Sequence, residues 1–370
     1  MNKQINSEDG HLSGNSLLDY IKMPQINEEI ANIINTYKGQ FGNYGNAPDW
    51  IKSEKAEKAI SDIVDKGILP VRYVKMSDLN SLNLKPNGKA EFFCEVGADC
   101  WNIQNQLYND NSMAIICSQY NALESVNPFV NSLKEWYYDP TQGPGISLHA
   151  AVNALHRYIA YIKGKLDNSL SDIFKNFSLA DTEIKKLYSK SCKLYQNGYL
   201  NLDGACKTLN DKQKLDLKKR IKDNIGDFRL NFQWVRYMDG NTNQIQVFAA
   251  APSLQKLKKD ELANLNKSDK DFIIDVCKTL MVHQFEMIGK LAAARSCALN
   301  GERFNLHVWV PGTGAFKNPP ESTFEAIKVL LNNVKDYNID VYLHRRSKTS
   351  STGILMDRAM GELGLDYSKH

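Results

Sequence analysis

Apolar residues along this chain follow two rhythms, and the switch between them marks its organisation. Residues 1 to about 87 carry helix spacing: Leu17, Leu18 and Ile21, then Ile26, Ile30, Ile33 and Ile34, with Pro24 interrupting between the groups. A further helix is predicted over 54–64. Two nearly continuous apolar runs follow, 91–96 and 113–118, as expected of strands covered on both faces. Polar groups cluster at the carboxyl ends of both runs, the rim where open α/β sheets bind ligands. Ile146, Ala150, Ala154, Tyr158 and Ile162 form a helical stripe that Gly164 closes. Beyond it, 244–249 predicts a strand, 271–299 a long helix and 304–310 a buried strand. Phe324, Ile327, Leu330 and Leu331 mark another helix, and 338–343 a last strand.

Residues 165–226 differ in character. Runs such as Glu183-Ile184-Lys185-Lys186 and 212–220 are charged and helix-prone, with little of the flanking core pattern. They predict an inserted helical lobe whose charged helix is either a solvated face or a docking surface for a protein partner.

Composition narrows the class. With 370 residues, 42% hydrophobic and 24% charged, the chain has the make-up of an ordinary soluble globular protein, and no apolar run approaches a membrane span. Residues 1–16 lack the apolar core of an export signal. The net charge of +4 is too small to imply nucleic acid as a partner. Cys94, Cys100, Cys117, Cys192, Cys206, Cys277 and Cys297 are odd in number and form no C-x-x-C pair, so they read as reduced residues of a cytosol-type protein. A catalytic thiol is the alternative.

Two glycine turns carry the chemistry. Thr141-Gln142-Gly143-Pro144-Gly145 and Pro311-Gly312-Thr313-Gly314-Ala315-Phe316 each precede a helical pattern, and the second follows a strand. Glycines permit positive φ and close approach, while free N–H groups and a helix N-terminus favour an anion. The pair predicts a clamp for a diphosphate, although tight turns before helices also occur for structural reasons.

At this point the residues carry a resemblance. Val96-Gly97-Ala98-Asp99, Cys117-Ser118-Gln119-Tyr120-Asn121-Ala122-Leu123-Glu124, Asp139-Pro140-Thr141-Gln142-Gly143-Pro144, His283-Gln284-Phe285-Glu286 and Gly312-Thr313-Gly314-Ala315-Phe316-Lys317-Asn318 resemble the ordered blocks of a divergent macrodomain-like family of ADP-ribosylhydrolases. Its members include Legionella MavL-type effectors and eukaryotic relatives. They run A-S-Q-F-N-x-L-E, D-x-T-Q-G-P-A, A-Y-E-A-T and G-G-G-x-F-G-N, in that order. Here Thr313 and Lys317 replace glycines of the last block, and Gly145 an alanine.

The resemblance implies a macrodomain-like three-layer α/β/α core with a mixed central sheet over 88–164 and 227–370, a helical N-terminal extension over 1–87 and a helical insertion over 165–226. It implies hydrolysis of ADP-ribose from modified protein side chains, with arginine as the expected acceptor and no cofactor. As a bacterial effector the protein would be translocated into a host cell. Asp99 would meet the adenine amine, or serve as a helix N-cap. Both turns would wrap the diphosphate, with Asn318 ending the second. Asn121 would bond the distal ribose with support from Gln119, though buried amides are also commonly structural. Phe316 would lie against that ribose or in the core.

Breaking the ribose bond needs carboxylates near the anomeric carbon, because an oxocarbenium-like state is stabilised by negative charge and the attacking water needs a base. Glu124, Asp139 and Glu286 are the expected acids. Glu286 either faces a buried site or pairs with Lys290, its i+4 neighbour. Asp139 either acts in catalysis or organises its turn with Thr141. His149 and His156 lack a third ligand with metal spacing, so no metal is expected, and His283 and His307 read as satisfied residues. A reader that binds ADP-ribose without turnover uses the same clamp. A nicotinamide-dependent enzyme would need a G-x-G-x-x-G after the first strand, which is missing.

Overall fold

The structure is a computed structural model that describes residues 10–26, 28, 29, 32, 54–97, 112–123, 153–166, 169–175, 194–196, 198–236, 242–257, 261–314 and 316–368. Nine strands are described: β1 Arg72–Val74, β2 Glu91–Val96, β3 Ser112–Ser118, β4 Tyr195–Gln196, β5 Tyr199–Leu200, β6 Leu230–Arg236, β7 Asn243–Ala250, β8 Phe304–Val308 and β9 Ile339–Arg345. A seven-stranded sheet runs in the order β1-β6-β7-β3-β8-β9-β2. From β7 to β2 every neighbouring pair is parallel, while β6 and β1 are antiparallel to the strands beside them. The sheet is therefore mixed, and the carboxyl ends of β7, β3, β8, β9 and β2 share one rim.

Alternation along β3 shows that both faces are covered. Met113 and Ile115 belong to the main core, and Ala114 and Ile116 to a smaller one with Val71, Ala122 and Phe248. The main core is filled by helices Lys267–Ala298, Pro320–Val334 and Ser351–Glu362, with Gly14–Lys22 and Asp211–Asp223 at its margin. On the other face, helix Asn153–Ile162 sets Arg157 over the Phe248 ring, 4.4 Å from its centroid, and packs against helix Glu54–Asp65. This is a three-layer α/β/α arrangement. The second half of the long helix Lys267–Ala298 is buried on nearly every side, as Met287–Gly289 and Leu291–Ser296 show. Asn266 caps the helix by accepting from the Asp269 amide.

Segments outside the expected core prove to be stitched into it. β1, within the N-terminal extension, is an edge strand of the sheet. Helix Gly14–Lys22 is held by Trp234 Nε1 donating to the Tyr20 carbonyl at 2.7 Å and by the Arg295 guanidinium donating to the Ile21 carbonyl. The charged helix Asp211–Asp223 docks on the long helix, burying Leu217 and Ile221 and pairing Lys214 with Asp269 at 2.5 Å and Lys218 with Asp275 at 2.7 Å. Lys214 and Lys218 of its charge run therefore serve an intramolecular contact, while Lys212 and Lys219 face solvent. β6, β1, the β4–β5 hairpin and helix Ser351–Glu362 were not legible in the apolar pattern. No helix among the described residues is long and apolar enough to cross a membrane.

Several histidines are buried as neutral rings. Burial lowers the pKa of His156, His283 and His307 to about 4, and that of His344 well below its usual value, with His307 beside it adding to the effect. His307 Nδ1 lies 3.1 Å from His344 Nε2, and Trp309 stacks on His344 at 4.0 Å. As pH falls below about 6.5 the unfolded chain takes up protons that the folded chain refuses until about pH 4. Stability should therefore decline across that window, and thermal melts from pH 7.5 to 4 should show the melting temperature falling most steeply within it. His307→Asn should flatten the slope, and a flat profile in the parent protein would refute the burial account.

Candidate functional site

The rim opens between β3 and β8. These strands pair only at Met113↔Leu306 and Ala114↔His307, whereas β3 stays paired with β7 as far as Ser118↔Ala250. Beyond that register the two central strands diverge. Their onward connections leave on opposite faces of the sheet: the next described helix after β3 is Asn153–Ile162, and after β8 it is Pro320–Val334. Such a switch point is where open α/β sheets form their ligand crevice. Cys117 lies in this gap and is exposed, although Ala249, its partner on β7, is fully buried.

Past β3 the chain makes a tight turn. The Ala122 amide donates to the Gln119 carbonyl at 3.0 Å, and Ala122 takes φ +61°. Asn121 is fully buried, and its Oδ1 accepts from the Leu123 amide at 3.2 Å. Its side chain also bonds the Tyr161 hydroxyl, which offsets part of the burial that raises the Tyr161 pKa. Arg157, fully buried, donates Nε to the Ala122 carbonyl at 3.0 Å and a terminal nitrogen to Gln233 Oε1 at 3.1 Å. The helix after the first glycine turn thus fixes the Gln119–Leu123 turn from below. Gln119 is half-buried, with its Oε1 shielded from solvent and unpartnered among the described residues.

The second glycine turn reaches from β8 across the end of β3 to the segment after β7. A Cβ on Gly312, at φ +105°, would come within 3.0 Å of the Ala251 Cβ, so glycine is required there. Asn318 Nδ2 donates to the Pro252 carbonyl at 2.6 Å, its amide donates to Gly312 O at 2.9 Å, and the Leu254 amide donates to Phe316 O at 3.0 Å. Among the described residues neither the Thr313 nor the Gly314 amide is taken by a backbone carbonyl. Thr313 Oγ1 meets Thr352 Oγ1 at 2.5 Å. Lys317 holds φ +54°, the conformation for which glycine is favoured. Its ammonium compensates by bonding the carbonyls of Gln255 and Leu257.

The β4–β5 hairpin supplies a further wall. Tyr120 N donates to Gly198 O at 3.0 Å, and Ser253 N to Leu200 O at 2.7 Å, so the β4–β5 hairpin is bonded to the ends of both β3 and β7. Tyr199 accepts from Gln119 Nε2 at 3.3 Å and sets its ring edgewise on Phe316, with centroids 5.7 Å apart. Gln119, Phe316, Asn318 and Gly312 are thereby joined in one corner of the rim.

Glu286 has a different setting. At ~100° per residue it projects roughly opposite Gln284, whose amide bonds Ala250 N and O at 3.1 and 3.0 Å. Its carboxylate meets Lys290 Nζ at 2.8 Å, and that ammonium also donates to Asn80 at 2.7 Å. Of the two placements open to it, Glu286 therefore takes the i+4 ion pair. Asp99, Glu124, Asp139, Thr141, Gln142, Gly143, Pro144, Gly145, Ala315 and His149 lie outside the described residues. Among those described, no cluster of three or more His, Cys, Asp or Glu side chains is placed to hold a metal. Arg157, Tyr161, Gly198 and Tyr199 had no part in the sequence reading. The Asn197-Gly198 pair between tyrosines was the available signal, since that dipeptide favours a two-residue hairpin.

No protein-family model matches the chain, and no curated protein matches it in sequence. Among solved structures, it is similar to poly(ADP-ribose) glycohydrolase from Deinococcus radiodurans in complex with ADP-ribose. The identity is 11% and the TM-score 0.40, covering 84% of this chain and 98% of that one. Poly(ADP-ribose) glycohydrolase from Thermomonospora curvata is similar at 11% identity and a TM-score of 0.38, with 90% and 98% covered. Values at this level describe a distant likeness and assign no role to any residue.

Gly198 is the sharpest steric constraint in this corner. It sits at φ +82°, and a Cβ there would fall 2.6 Å from Asn121 Cγ. Gly198→Ala should destabilise the protein by about 2–4 kcal/mol, read by urea denaturation. A loss below about 0.5 kcal/mol would show that the hairpin does not press on Asn121.

Proposed function

We propose that this chain is an ADP-ribosylhydrolase that releases ADP-ribose from modified protein side chains, with arginine as the acceptor. The observation that carries the reading is the crevice between β3 and β8, where Gln119 and the second glycine turn share one corner. The ordered sequence blocks that resemble macrodomain-like hydrolases supply the ligand class. In this reading the Thr313 and Gly314 amides receive the diphosphate, and the distal ribose lies toward Gln119 and Asn121. Asn121 then works mainly by holding the turn rigid, since its carbonyl is occupied by Leu123.

Hydrolysis requires one carboxylate that takes a proton from the attacking water and returns it to the leaving guanidine nitrogen, and negative charge beside the anomeric carbon. We assign these roles to Glu124, which follows the Gln119–Leu123 turn directly, and to Asp139, which leads the first glycine turn. Glu286 serves the ion pair with Lys290 in this assignment. That ion pair is also the observation favouring the second reading, a non-catalytic reader of ADP-ribose, because it leaves the chemistry to two acids only.

Release of free ADP-ribose from arginine-, glutamate- and serine-linked substrates, measured in parallel, separates the two. Arginine-linked substrate should be cleaved fastest. Glu124→Gln and Asp139→Asn should each lower kcat by about 100-fold or more with ADP-ribose affinity retained. Glu286→Gln should stay within about twofold, the scale of a half-exposed ion pair. Micromolar binding with no release from any substrate would establish the reader instead.

The location of the site has its own test. Cys117 is exposed on β3 beyond its pairing with β8, so iodoacetamide should label it, and saturating ADP-ribose should slow that labelling at least about fivefold. Equal labelling with and without nucleotide, under conditions where binding is measured, would move the site away from β3.

A further inference from the structure

We infer that Tyr199, contributed by the inserted lobe, is a positioning residue that orients the Gln119 amide to accept a hydrogen bond from a ribose hydroxyl. The inference rests on the ADP-ribose reading and extends it to a residue outside the sequence blocks. The Tyr199 phenol is almost wholly buried, and its oxygen takes the Gln119 Nε2–H at 3.3 Å. An amide whose nitrogen is tied in this way presents its carbonyl on the other side. That carbonyl, Gln119 Oε1, is shielded from solvent and has no hydrogen-bond partner among the described residues. A buried acceptor left unmade is costly, so a ligand donor arriving there regains what folding gave up.

The hairpin gives the phenol little freedom to move. Gly198 O and Leu200 O, on either side of Tyr199, accept from Tyr120 N and Ser253 N at 3.0 and 2.7 Å. The ring edge meets Phe316 of the second glycine turn, so the tyrosine is braced by both loops that frame the crevice. The polarity of the arrangement also sets a preference. A lone carbonyl accepts from a hydroxyl and repels the oxygens of a phosphate or carboxylate, so this corner selects the sugar end of a nucleoside diphosphate sugar over its charged centre.

Calorimetric titration of the full chain with ADP-ribose and with ADP, which lacks the distal ribose, tests this. Tyr199→Phe should weaken ADP-ribose binding about five- to tenfold and leave ADP within about twofold. In a Gln119→Ala background the same substitution should cost nothing further, because the group it positions is gone. Should Tyr199→Phe fold poorly, Gln119→Ala carries the comparison, since loss of the acceptor should likewise reduce affinity for ADP-ribose and spare ADP. Unchanged ADP-ribose affinity in Tyr199→Phe overturns the positioning role, and equal losses for the two nucleotides overturn the ribose assignment. Absence of binding by either nucleotide to the parent protein overturns the ADP-ribose reading itself, before any variant is compared.

Discussion

The divergence of β3 from β8 is the constraint from which the site follows. Parallel neighbours that stay paired to their ends leave no room between them, but these two separate after a short register while β3 remains bonded to β7. Polar groups of the backbone at the freed ends must find other partners or face solvent or a ligand. The loops converge on that gap for this reason. The turn after β3 closes on itself through Gln119 O and Asn121 Oδ1, and the turn after β8 crosses to bond the segment that follows β7.

Burial of polar side chains makes the arrangement rigid. Asn121 and Arg157 are both fully enclosed, and each places a hydrogen bond on the same short turn. A buried guanidinium is tolerated when carbonyl oxygens and an aromatic face replace water, as Ala122, Gln233 and the Phe248 ring do here. Gly198 has no room for a side chain because the hairpin lies directly on Asn121. The β4–β5 hairpin is accordingly a structural wall of the crevice, and helix Asp211–Asp223, which follows it, is anchored on the long helix.

Much of the fold was legible in the apolar pattern. The runs 91–96 and 113–118 became β2 and β3 almost residue for residue, and β3, covered on both faces, is continuously apolar for that reason. The long helix, β7, β8 and β9 followed equally well. β6 escaped notice because Asn231, Gln233 and Arg236 interrupt it, and the partners that make those residues acceptable, Ser169 and Arg157 among them, are distant in sequence. Part of the candidate site was legible too: Gln119 and Phe316 both contact Tyr199, and Asn318 bonds the Phe316 carbonyl. Glu286 shows the limit, because its apolar neighbours are compatible both with a buried carboxylate and with the ion pair to Lys290 that the helix adopts.

The chain by itself determined the alternation of strands and helices, the glycines at the second turn and the amide-rich block after β3, because these depend on local periodicity and on backbone conformations few residues accept. Only the tertiary structure decided which of these segments touch. Whether the insertion stands apart or walls the crevice, whether Lys317 can hold a glycine's conformation, and which side of the long helix carries Glu286 all depend on contacts between residues far apart in sequence. Local pattern sets what each segment can be, and packing at the sheet rim selects what it does.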